Sequence, residues 1–156
     1  MPKISNFLWS RDFFGGKNSV YPTIITLSGE DVWKRWYDPD RLNNIRQHIP
    51  SADIDSLGLL FWEITWCKPE NLPFKGILIE NLYQHLLRHN KEKLPELPGE
   101  YKRWGYLINS MWKFKADERS DIKTVESNLE KLLKGRFNII SFIIIFNHHI
   151  ACITYT

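Results

Sequence analysis

Ala52-Asp53-Ile54-Asp55-Ser56-Leu57-Gly58-Leu59-Leu60-Phe61-Trp62-Glu63-Ile64 is the stretch on which the fold turns. Pro50-Ser51 just ahead of it is a helix start signal. Ser51 is placed as an N-cap, and Asp53 and Asp55 lie in the first turn, where carboxylates suit the positive end of the helix dipole. The pattern predicts a helix from Ala52 to Trp66. Its apolar residues Ile54, Leu57, Leu59, Leu60, Phe61, Trp62 and Ile64 cover most of the circumference, and a helix apolar nearly all round is one that other elements surround. It is the expected central helix of a mainly α domain.

Downstream, Pro69 to Pro73 reads as a connector. Ile79, Leu82, Tyr83, Leu86 and Leu87 then recur at three- and four-residue spacing and predict a one-faced helix over Ile77 to His89. Two prolines and a glycine within Lys93 to Gly99 form a turn-rich linker that no helix crosses. A third helix carries Tyr101, Trp104, Leu107, Ile108, Met111 and Trp112 on one stripe. A fourth, from Asp121 to Lys134, carries Ile122, Val125, Leu129, Leu132 and Leu133, with Gly135 as its stop. Upstream, the first 50 residues lack helical periodicity except for a short turn near Arg41 to Gln47, and strand fragments and loop are expected there.

At 156 residues the chain is one domain's worth of sequence. With 43% hydrophobic residues, 14% aromatic and seven Trp, it has the matter for a core, which excludes a wholly disordered or low-complexity chain. Lys and Arg number 21 against 18 Asp and Glu, and a net +3 this dispersed does not point to nucleic acid. Trp33, Lys34, Arg35 and Trp36 do interleave aromatics with base, but loop packing accounts for them equally. Cys67 and Cys152 are too few and too far apart for a disulfide framework or a Cys-x-x-Cys zinc site. Met1-Pro2-Lys3-Ile4-Ser5 opens no signal-peptide core, so a reducing, cytoplasmic location is expected.

The segment from Arg136 to Thr156 has a different composition. Its dense apolar run, Ile139 to Phe146, is eight residues, whereas spanning a bilayer takes about 20, so no membrane anchor is expected. His148, His149 and Cys152 offer two metal ligands on one helical face and no third. The AT-rich codons of Ile, Phe, Asn and Tyr suit translated non-coding sequence, a reading that a transcript lacking this segment would support. The organisation expected is therefore a region over 1–50, a helical core over 51–135 and an unrelated apolar tail over 136–156.

The central stretch resembles the large central helix of the protein-kinase C-lobe, and its Trp62-Glu63-Ile64 ending is similar to that of tyrosine-kinase-like members. Fifty residues beyond Trp62, the positions Trp112, Arg119, Ile122 and Val125 keep the spacing Trp-x6-Arg-x2-Ile-x2-Val of the kinase segment that carries the family's structural Arg. Pro73-Phe74 resembles the family's Pro-Phe connector. Asp38-Pro39-Asp40 stands where the activation segment ends in Ala-Pro-Glu, and Lys3-Ile4-Ser5-Asn6-Phe7-Leu8 resembles the Lys-Ile-x-Asp-Phe-Gly that opens that segment.

The resemblance implies a truncated C-lobe, without the N-lobe and catalytic loop, over residues 2 to 134. It pairs Asp40 with Arg119 in a partly buried salt bridge, although Asp40 is one methylene shorter than the family's Glu. It gives Asp53 the role of holding the catalytic loop, beside the simpler reading of a first-turn acid, and makes Gly58 and Trp112 structural positions. The family phosphorylates protein hydroxyls with ATP and Mg²⁺. Here the Mg²⁺-ligand position is Asn6, a neutral amide where a carboxylate is preferred, and Leu8 replaces the hinge Gly. No stretch resembles His-Arg-Asp-x4-Asn or Val-Ala-Ile-Lys. The expectation is thus a kinase-domain fragment with no catalytic residue and no cofactor of its own. The alternative is a pseudokinase-type module that binds a protein partner through its helical lobe.

Overall fold

The computed structural model describes residues 32–43, 49–66 and 72–134. The Lys3 to Leu8 motif with Asn6, both Cys, and the tail with His148 and His149 lie outside the described residues. Every regular element among the described residues is helical, as the mainly α expectation requires. The α-helices are α1 (Pro39–Asn43), α2 (Pro50–Trp66), α3 (Ile79–Leu87), α4 (Lys102–Met111) and α5 (Ile122–Lys134). Short 3₁₀ turns occupy Val32–Trp36, Gly99–Tyr101 and Ala116–Glu118.

The central helix starts at Pro50, so Ser51 lies inside it and is not its N-cap; the Ala52 amide donates to the Ile49 carbonyl at 2.9 Å. Proline is suited to the first helical position, because its missing N–H is unpaired there in any case. The same chemistry starts α1 two residues ahead of the short turn expected near Arg41 to Gln47. Pro39 opens it, and Asp38 caps it by accepting the Arg41 amide at 3.0 Å through Oδ1. Asp121 caps α5 likewise, accepting the Thr124 amide at 2.7 Å, and this hydrogen bond holds its carboxyl below the usual range. The second helix is shorter than its periodicity, Ile79–Leu87. Leu78 is extended ahead of it, and His89 turns left-handed (φ 59°) behind it.

The core gathers Ile54, Leu59 and Trp62 from α2, Leu82 and Leu86 from α3, Trp104, Leu107, Ile108 and Met111 from α4, and Val125 and Leu132 from α5. Fully burying each such side chain contributes about 1.5 to 3 kcal/mol. Among the described residues the most extensive helix pairing is α2 on α4, and Gly58 is what lets them meet. A Cβ on Gly58 would stand 3.1 Å from the Met111 Cβ and 3.5 Å from that of Trp112. Two buried indoles are paired: that of Trp104 donates to Thr65 Oγ1 at 2.7 Å, and that of Trp62 ties down the turn-rich linker through the Lys93 carbonyl at 3.0 Å. On α5 the inward stripe is Val125, Leu129 and Leu132. Ile122 and Leu133, expected on it, are exposed, because a short helix against one neighbour buries only a narrow face.

Candidate functional site

Segment 32–43 lies against the helical core, and a chain of polar contacts fastens it. At its start Arg35 reaches three carbonyls of the 73–77 loop: Pro73 at 3.2 Å, Phe74 at 2.6 Å and Ile77 at 2.9 Å. One guanidinium with five fixed donors suits three converging carbonyls where a Lys would not. The loop needs the support, since Phe74 adopts a positive φ of 55° and also donates its amide to Glu92. Next, the Trp36 indole donates to Glu63 Oε2 at 3.2 Å and the Trp36 carbonyl accepts the Ser56 hydroxyl at 2.6 Å, both on α2. Burial raises the Glu63 carboxyl pKa, and the indole hydrogen bond opposes that shift.

Beyond Trp36, the middle of the segment is fixed by a buried ion pair. Arg119 Nη1 donates to Asp38 Oδ2 at 3.0 Å, and neither side chain has any exposed surface. Nη1 also donates to the Ser51 carbonyl at 2.9 Å, Nε to that of Lys113 at 2.8 Å and Nη2 to that of Phe114 at 3.1 Å. Asp38 spends its other oxygen on the α1 cap. Buried charges persist only when paired and hydrogen-bonded in this way.

A second carboxylate crowds the same guanidinium. Asp55 Oδ1 stands 3.8 Å from Arg119 Nε, beyond hydrogen-bond length, and Nε is already committed to Lys113. Burial pushes the Asp55 carboxyl up to about 7, against the pull of Arg119 and with the help of Asp38. Asp55 borders a cleft that it shares with Tyr37, Phe74, Lys91, Trp112 and Phe114. The cleft offers about 380 Å³ counting its open mouth, and its interior admits about one water. Burial and the nearby Lys113 lower the Lys91 ammonium pKa.

The residues singled out in the sequence fare differently. Arg119 is buried and paired, but with Asp38; the pairing expected of Asp40 does not form. Asp38 caps the helix from just outside it and its carboxylate reaches Arg119, whereas Asp40, two residues on and inside α1, is half-buried without that contact. Asp53 is exposed, as a first-turn acid would be, and the inward acid of that turn is Asp55. Gly58 and Trp112 meet at the α2–α4 contact. Asn6 lies outside the described residues. Among the described residues no group of three or more His, Cys, Asp or Glu is placed to hold a metal ion, and no helix is long and apolar enough to cross a membrane.

Sequence reasoning missed Asp38, Asp55 and Arg35 as anchors. Asp38-Pro39 is a cap-then-proline signal that marks the first of these. Asp55 shares the i, i+4, i+7 face of Leu59 and Trp62, which marks the second. Arg35 carries no local signal, because its partners lie about 40 residues away.

No family model and no curated protein matches the chain.

Proposed function

We propose that this chain is a helical lobe of protein-kinase type that does not transfer phosphate by itself. What carries the reading is the tie from Arg119 to the Asp-Pro-Asp segment, a buried guanidinium reaching an acid 81 residues earlier in the sequence. Supporting it, a central helix apolar nearly all round meets the Trp112 region through Gly58, in the order the resemblance implies. The shift of the ion pair from Asp40 to Asp38 conserves the chemistry, an acid of the segment's end against the structural Arg, while changing the residue.

Catalysis of phosphoryl transfer is mostly positioning and charge: a Gly-rich loop, a strand Lys, a catalytic Asp and Mg²⁺ ligands. This sequence offers none of the first three and has Asn6 at the position of the last. Arg35, Trp36 and Asp38 hold segment 32–43 against the core. The test is incubation of the purified chain with radiolabelled Mg-ATP and a generic protein substrate, alongside calorimetric titration with the nucleotide. Neither label transfer nor heat of binding is expected; transfer at a rate that scales with chain concentration would overturn the proposal.

A second reading, a pseudokinase-type protein-binding module, draws on large apolar side chains left exposed: Trp33, Leu78 and Tyr106 are each more than half exposed. The apolar stripe of α3 is not available for that role, since Leu82 and Leu86 are used in the core.

A further inference from the structure

Asp38, Arg119 and Asp55 place two carboxylates on one buried guanidinium. Four of the five guanidinium N–H groups are committed, to Asp38 and the carbonyls of Ser51, Lys113 and Phe114; Nε, the nitrogen that Asp55 approaches, is spent on Lys113, so Asp55 has no hydrogen bond from it and stands 3.8 Å off. With both acids ionised the triad carries a net −1 in a buried setting; with Asp55 protonated it is neutral. Tyr37 and Pro39, from segment 32–43, form one wall of the cleft that Asp55 borders. Lifting the segment removes this wall together with the competing Asp38.

We propose that Asp55 is a proton-operated catch on segment 32–43: protonated, it lets the segment close over the triad, and ionised, it favours the segment's release. The consequence is directional. In the closed state the carboxyl titrates near 7, against 3.8 for an unperturbed Asp, because burial disfavours its charge. In the released state water restores the ordinary value. Release is therefore linked to proton loss, and its equilibrium constant climbs between about pH 4 and about pH 7 and levels off above, by up to about a thousandfold for a difference of about three units.

Several groups face Asp55 from the surrounding elements. Asp38, Asp40 and the Tyr37 phenol come from the segment, Arg119 from the loop before α5, and Lys91 and Glu92 from the stretch after α3. Asp38 and Asp40 add to the cost of ionising Asp55; Arg119 and Lys91 oppose it. Any of these titrating alters the profile too, so the contribution of Asp55 is isolated by comparison with Asp55→Asn, which keeps the shape and removes the charge.

The experiment is amide hydrogen exchange on the full chain from pH 4 to pH 8, with intrinsic rates divided out. The amides followed are Tyr37, Arg41 and Leu42, which are hydrogen-bonded within the segment, with Trp112 at the end of α4 as the reference. The ratio of opening in wild type to that in Asp55→Asn is expected to rise toward a thousandfold by pH 7 at the three segment amides, and their opening constants are expected to exceed that of Trp112 throughout the pH range. A flat ratio overturns the proposal, and so do opening constants at the segment amides equal to that of Trp112 throughout, which would mean global unfolding and not release of a segment. Should Asp55→Asn fail to fold, a ¹³C titration of the Asp55 carboxyl in the unsubstituted protein decides. An inflection near pH 7 supports the catch, and one in the ordinary Asp range refutes it.

Discussion

Arg119→Met, Asp38→Ala and the double substitution form a cycle that weighs the buried tie directly. Arg119→Met leaves Asp38 charged at a site with no exposed surface and strips the donor from three partly buried carbonyls. Breaking such a pair costs about 3 to 5 kcal/mol. Asp38→Ala costs toward the lower end, about 3 kcal/mol, because Arg119 keeps its three carbonyls and Asp55 is close enough to offset its charge. About 1 kcal/mol of that is the lost α1 cap. The two effects overlap, and a coupling of about 2 kcal/mol is expected between the positions. Asp40→Ala, by contrast, should change stability by less than about 0.5 kcal/mol and show no coupling to Arg119. Urea unfolding at pH 7 provides the assay. With a slope of about 2 kcal/mol per molar, Arg119→Met lowers the midpoint by about 2 M. A larger coupling of Arg119 to Asp40 than to Asp38, or a cost below about 1 kcal/mol for Arg119→Met, would refute the reasoning.

Asp55→Asn should gain stability relative to wild type as pH rises. The folded carboxyl titrates near 7 and the unfolded one near 3.8, so the wild-type advantage of protonated Asp55 is complete below about pH 4 and is lost by about pH 7; the difference approaches about 4 kcal/mol in paired urea titrations. Gly58→Val, which drives side-chain atoms into Met111 and Trp112, should cost about 1 to 3 kcal/mol, read as a lowered urea midpoint. Arg35→Met removes the donor from three carbonyls and should cost about 1 to 3 kcal/mol, with faster proteolytic cleavage within residues 72–78 than elsewhere in the described core.

The helices were legible where periodicity and punctuation agreed. Leu82 and Leu86 on α3, and Val125 and Leu132 on α5, are buried as their spacing requires, whereas α2, apolar nearly all round, buries Ile54, Leu59 and Trp62 and leaves Leu60 exposed. Boundaries moved where a local cap outweighed the pattern, as at Pro50 and at Asp38-Pro39. Arg119 could be singled out from motif spacing, but not its partner. Asp38 and Asp40 are both acids of one tripeptide, and only the cap geometry turns Asp38 inward. Asp55 reads in the sequence as a dipole-complementing acid like Asp53. What separates them is which face of α2 is covered, a property of the packed molecule that no window of sequence contains.

Sequencing the transcript and the genomic DNA immediately upstream of the Met1 codon tests the kinase-type reading most directly. The expected result is sequence encoding a Gly-rich loop, a strand Lys and a His-Arg-Asp loop, in that order, leading toward Lys3-Ile4-Ser5-Asn6-Phe7-Leu8. Upstream sequence with none of these in either the message or the genome would contradict it, and the tie between Arg119 and Asp38 would then belong to a helical domain of another kind.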